Sequence, residues 1–133
     1  MITLATLEKA TARQIFDQVK NHLLTQNEKC QLVPHGACAY RNKEGLKCAA
    51  GILIADDEYK EDFEYKNWQM LVESGVVPNA HYKLIKTLQM IHDESNPDKW
   101  ALMDRAPGLR TLRNIAKLTK LRAKVEKRTT CRK

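Results

Sequence analysis

Apolar residues in this chain recur every three or four positions over short windows, and each window is closed by a residue that breaks a helix. That pattern limits the fold to several short amphipathic helices packed on a common core. Thr11-Ala12-Arg13-Gln14 predicts a capping box, in which the Thr hydroxyl accepts from the Gln14 amide and the Gln14 side chain reaches back. Ile15, Phe16, Val19 and Leu23 follow at helical spacing, and the helix is expected to fade near Gln26-Asn27. A short helix over residues 67–73 carries Trp68, Leu71 and Val72, with Gly75 as its stop. Asn79 is the expected N-cap of a helix carrying Leu84, Ile85, Leu88 and Ile91 and ending at Ser95-Asn96-Pro97. Pro97 opens a further short helix through Trp100 and Met103. Pro107-Gly108 then breaks the chain before a last helix over residues 109–127.

Residues 37–54 depart from helical spacing and predict a β-hairpin. Asn42-Lys43-Glu44-Gly45 suits a type I turn with Gly45 at the positive-φ position, which places Asn42 opposite Leu46 and Tyr40 opposite Cys48. Alternation then sets Cys38, Tyr40, Leu46, Cys48, Ala50, Ile52 and Ile54 on the face expected to press on the helices. Ala39, Arg41, Lys47, Ala49 and Gly51 fall on the other face. The expected fold class is therefore α+β: a predominantly helical single domain with a β-hairpin packed on helices and a basic C-terminal helix. Residues 1–104 form the compact α+β body, and residues 105–133 the basic C-terminal helix and tail of the same domain. A chain of 133 residues is long enough to bury such a core without staples.

The longest apolar run, residues 49–55, is far too short to span a bilayer. The opening MITLATLEKA lacks the charged-then-apolar pattern of a signal peptide, so a cytoplasmic setting is expected, with Cys30, Cys38, Cys48 and Cys131 as free thiols or ligands.

Charge is unevenly distributed. Residues 105–133 hold eleven Lys/Arg and one acid, a balance of +10, whereas residues 1–104 balance to −3. In the last helix, Arg110, Arg113, Lys117, Lys120, Lys124, Lys127 and Arg128 fall within roughly one third of the circumference, with Leu112, Ile115, Leu118 and Val125 opposite. A stripe of one sign, with no acids at i,i+4 to relieve it, suits a phosphate backbone or an acidic protein groove. The break at Ala106-Pro107-Gly108 between two helices also fits a helix-turn-helix, in which Arg113 and Asn114 would face the bases.

Other constellations are weaker. Cys30, His35, Cys38 and Cys48, spaced Cys-x4-His-x2-Cys-x9-Cys, form a chemically sound zinc set, but match no known zinc module and lack a CxxC knuckle. Burial as small hydrophobes explains Cys38 and Cys48 equally well. A Cys38 or Cys48 nucleophile could use His22, His81 or His92 as its base, yet no spacing selects a pair. Neither a P-loop nor a GxGxxG is present, and Asp56, Asp57, Glu58, Glu61 and Asp62 lack EF-hand spacing and read as a solvated loop.

The segment Cys38-Ala39-Tyr40-Arg41, then Gly45-Leu46-Lys47-Cys48-Ala49-Ala50-Gly51, Leu53-Ile54 and Asp56-Asp57-Glu58-Tyr59, resembles a motif of small uncharacterised phage and bacterial proteins. The lead-in Ala10-Thr11-Ala12, Ile15-Phe16-Asp17 and His22-Leu23 resembles the same group, so the likeness covers roughly residues 4–95. It implies a compact domain in a mobile-element setting and no particular activity. The expected function is that of a non-catalytic phage-type accessory protein that binds nucleic acid through Arg110, Arg113, Asn114, Lys117, Lys120, Lys124, Lys127 and Arg128. An inhibitor or modulator of a host protein and a small zinc-binding regulatory protein are the alternatives. No cofactor, no resident metal and no membrane span are expected.

Overall fold

The computed structural model describes residues 1–32, 36–105 and 109. Among the described residues the α-helices are α1 (Ala12–Gln26), α2 (Trp68–Glu73) and α3 (Tyr82–Glu94). Four 3-10 helices accompany them: Leu4–Lys9, Gly51–Leu53, Glu61–Phe63 and Pro97–Arg105.

Local chemistry sets the helix ends. At the start of α1, the Thr11 hydroxyl accepts from the Gln14 N–H at 3.1 Å, and the Gln14 side chain accepts from the Thr11 N–H at 2.9 Å. Asn27, in the left-handed region, ends the helix. The Asn67 side chain caps α2 through Met70 N–H, and Gly75 follows with φ 77. α3 begins later than its sequence suggests. Its N-cap is His81, whose Nε2–H donates to the Ala10 carbonyl, while Asn79 contributes only a main-chain carbonyl to Tyr82 N–H. Helix α1 packs on α3 and on Pro97–Arg105, and α2 packs on α3. Ile15, Phe16, Leu23, Trp68, Leu71, Ile85, Leu88 and Trp100 fill the core between them. Each large apolar side chain so buried contributes about 1.5–3 kcal/mol relative to exposure.

The expected β-hairpin is not formed. Among the described residues there is no strand, only isolated antiparallel bridges between Gln31 and Cys38 and between Arg41 and Lys47. The fold is helical, and the α+β assignment is corrected accordingly. The turn itself exists: Asn42 Oδ1 accepts from Glu44 and Leu46 N–H, and Gly45 has φ 83. A ladder does not extend from it, because side chains take the backbone groups that a ladder needs. Both Glu64 carboxylate oxygens accept from Tyr40 N–H, at 3.0 and 3.1 Å. Gln26 accepts from Lys47 N–H and donates to the Lys47 carbonyl, but these groups face away from residues 38–42 and are not ones the ladder would use. Gln89 accepts from Ala50 N–H. The Cys48 carbonyl, left without Tyr40, receives Ile52 N–H and starts the turn into Gly51–Leu53.

Two-residue alternation therefore fails after Cys48: Ala49, Ala50, Gly51, Ile52, Leu53 and Ile54 are all buried. Arg41 and Lys47 remain half-buried, and Cys38 is half-buried rather than fully enclosed. The acidic segment also does more than meet solvent. The Glu58 carboxylate accepts from Leu4, Ala5 and Ala55 N–H, tying the first 3-10 helix to the loop.

Gly51 allows the closest approach in this region. A Cβ there would lie far inside van der Waals contact distance of the Tyr40 carbonyl oxygen, a main-chain atom that cannot rotate away. Gly51→Ala is expected to cost about 2–3 kcal/mol in urea unfolding. Asp57→Ala, at an exposed position, should change stability by less than about 0.5 kcal/mol.

Candidate functional site

The polar end of α3 carries the most organised chemistry among the described residues. His92 is fully buried and stacks on Trp100, with centroids 5.5 Å apart and planes at 20°. The Cys30 backbone N–H points at its Nε2 at 3.1 Å. A backbone amide can only donate, so Nε2 is the acceptor and the ring proton sits on Nδ1. That N–H donates to Asp93 Oδ1 at 2.7 Å. Gln89, one turn earlier, donates to the same oxygen at 2.9 Å, and Lys29 Nζ donates to the Asp93 main-chain carbonyl at 3.0 Å. Cys38 completes the group: its sulfur, an imidazole nitrogen of His92 and a carboxylate oxygen of Asp93 lie within 4.8 Å of one another.

The thiols of Cys30, Cys38 and Cys48 are held in their protonated form. Burial, reinforced by the Asp93 carboxylate, pushes Cys38 up to about 11. Burial, followed by the charge of Glu64, pushes Cys30 up to about 12, and its S–H donates to the Leu46 carbonyl. Enclosure raises Cys48 well above the ordinary thiol range, and its sulfur accepts from Gly51 N–H.

This geometry argues against two familiar chemistries. A cysteine nucleophile needs a thiolate beside an imidazole lone pair. Here that lone pair is engaged by the Cys30 amide, and the nitrogen facing the carboxylate already bears a proton. Zinc coordination at Nδ1 would require either an imidazolate or loss of the Cys30 hydrogen bond. The sequence-derived zinc set is not brought together either. Cys30 and Cys48 serve main-chain partners, Cys38 joins His92 and Asp93 instead, and His35 lies outside the described residues.

The group borders a surface cavity of about 320 Å³ whose lining includes Cys38, Tyr65, Lys66, Asn67, Gln89 and Asp93. Tyr65 is 84% exposed and has φ 66, in the left-handed region that a side chain with a Cβ rarely adopts. Its neighbours fix it: Glu64 through Tyr40 and Arg41 N–H, Lys66 through its carbonyl to the Tyr40 hydroxyl at 2.7 Å, and Asn67 through its cap on α2.

The basic stripe of Arg110, Arg113, Asn114, Lys117, Lys120, Lys124, Lys127 and Arg128 lies outside the described residues, as does Cys131. Sequence reasoning named Cys38 and His92 as members of an undecided pair, but missed Asp93, Gln89 and Tyr65. The adjacent His92-Asp93 at the polar end of an amphipathic helix was the available signal. Nothing in the sequence marked Tyr65. No helix among the described residues is long and apolar enough to cross a membrane. Comparisons with family models, curated proteins and solved structures return no match to this chain.

Because Cys38 is a protonated thiol, its alkylation should accelerate about tenfold per pH unit between about pH 7 and pH 10, without a plateau. Peptide mapping after iodoacetamide treatment reads this directly, and a plateau near pH 8 would refute it. The same shifts act on stability. The unfolded thiols release protons from their ordinary value of 9.0, while the folded Cys38 and Cys30 retain theirs up to about 11 and about 12, so the stability these thiols contribute is intact below pH 9.0 and is lost as pH rises from there through the folded values.

Proposed function

We propose that this chain is a non-catalytic, phage-type accessory binding protein whose body anchors a basic segment that holds nucleic acid. The separation of charge carries the reading: +10 over residues 105–133 against −3 over residues 1–104. Leu109, 1% exposed, is set in the core immediately before Arg110 in sequence, so the body holds the chain at the point where the basic run begins. Positive groups in such a run gain affinity for a polyanion by releasing its condensed counterions. The protonated thiols and the engaged His92 support binding over catalysis.

A second reading, in which the partner is a host protein, is favoured by the exposed side chains of Met70, Val76 and Met90, since exposed apolar groups suit a protein interface. The two differ in salt response, because apolar contacts survive salt and phosphate contacts do not.

Duplex and single-stranded oligonucleotides should bind with affinity that falls steeply with salt, the logarithmic slope on duplex DNA being about −0.9 per phosphate contact. Replacing Arg113, Lys117 and Lys120 together by Gln should weaken binding and flatten that slope. Fluorescence anisotropy across a salt series measures both. Absence of binding at low salt would refute the nucleic-acid reading.

A further inference from the structure

We propose that the cavity beside Cys38 receives one unstacked base of a single-stranded nucleic acid, with Tyr65 as the platform on which that base stacks. The inference rests on the nucleic-acid reading above and adds a site in the body that distinguishes single strands from duplex.

Tyr65 is an aromatic side chain left 84% exposed, so packing within the fold does not account for it. It is also held at φ 66, where glycine or asparagine would be less strained. The residues on either side are tied to Tyr40, through the Glu64 carboxylate and the Lys66 carbonyl, so the ring stands on a fixed base and loses little freedom when a partner stacks on it. Its cavity, about 320 Å³, is at the small end of the range that small-molecule ligands occupy.

The polar groups there suit the edge of a base. Asp93 presents a carboxylate whose Oδ1 is oriented by His92 Nδ1–H and Gln89 Nε2–H; no N–H among the described residues holds its other oxygen, which can accept from a base N–H. Asn67 uses its Oδ1 on Met70 N–H and, among the described residues, keeps its Nδ2 donors. A donor and an acceptor beside an exposed aromatic ring are what single-strand recognition uses, since only an unpaired base offers both its face and its pairing edge. Lys66, exposed on the rim and in no ion pair among the described residues, is placed for the adjoining phosphate. The Asp93 carboxylate favours a base edge over a phosphate inside the cavity. A duplex, with its bases stacked and paired, cannot enter.

The test compares the full chain with Tyr65→Gly and Tyr65→Phe, using a single-stranded oligonucleotide and its duplex in anisotropy titrations. Tyr65→Gly should lower single-strand affinity by about 5- to 100-fold, leave duplex affinity unchanged and preserve the salt slope, while Tyr65→Phe keeps the binding. Its melting temperature should be equal to or above that of the parent, because glycine suits the backbone. Unchanged single-strand affinity, or an equal loss on duplex, would overturn the pocket while leaving the basic-segment reading intact. If the parent chain binds neither oligonucleotide at low salt, both readings fall. Photocrosslinking of the unmodified chain to a bromodeoxyuridine-containing single strand provides a second readout that needs no variant. The adduct is expected on the peptide carrying Tyr65, and adducts confined to residues 105–133 would overturn the proposal.

Discussion

The Glu64 carboxylate is the contact on which the rest of this structure depends. Nearly buried, it accepts from Tyr40 N–H through both oxygens, from Arg41 N–H at 3.3 Å and from the Tyr59 hydroxyl at 3.0 Å. A buried carboxylate is tolerable only when its lone pairs are satisfied in this way, and a charged acceptor makes each of those bonds stronger than its neutral counterpart. By holding Tyr40 N–H it ends the hairpin ladder one pair beyond the turn. The Cys48 carbonyl then turns inward to Ile52, and Gly51 comes to rest against the Tyr40 carbonyl. The same anchoring sets Tyr40 so that its hydroxyl reaches the Lys66 carbonyl, which fixes the strained Tyr65 between them. One acidic side chain thus links the failure of the sheet to the geometry of the cavity.

Elements whose stability comes from neighbours in sequence were legible. The Thr11 capping box, the Gly75 stop and the start at Pro97 are all short-range effects, and each appears where the sequence places it. The β-hairpin was misread for a definite reason. Leu46, Cys48, Ala50, Ile52 and Ile54 alternate as a strand would, but Ala49, Gly51 and Leu53 between them are also apolar, and a segment buried on every side carries no reliable period. The decisive acceptors, Glu64 and Gln89, are distant in sequence from the backbone groups they bind. No local pattern announces such pairings.

The candidate site was legible only in part, for the same reason. Cys38 and His92 carry obvious chemistry, but their roles are set by the Cys30 amide and the Asp93 carboxylate, which tertiary packing brings to them. The amide fixes the imidazole tautomer, and in that tautomer both ring nitrogens are engaged, Nε2 by the Cys30 amide and Nδ1–H by Asp93. The cavity beside it is lined by the Asp93 carboxylate, whose Oδ1 is held by two donors, and by the exposed Tyr65. In the function proposed above, the slightly acidic body and the strongly basic C-terminal segment would divide the binding work: long-range attraction from the segment, short-range selection from the body.

Amide hydrogen exchange at Tyr40 and Arg41 tests the central claim most directly, in the parent chain and in Glu64→Gln, which keeps one acceptor oxygen and sets an NH₂ group against the backbone donors. The account predicts that both amides are strongly protected in the parent and lose that protection in the variant, while the amide of Val19 in the middle of α1 remains protected in both. Protection at Tyr40 and Arg41 that survives the substitution, accompanied by cross-strand contacts running continuously from residues 38–42 to residues 46–50, would show that a β-ladder holds this segment and would contradict the account.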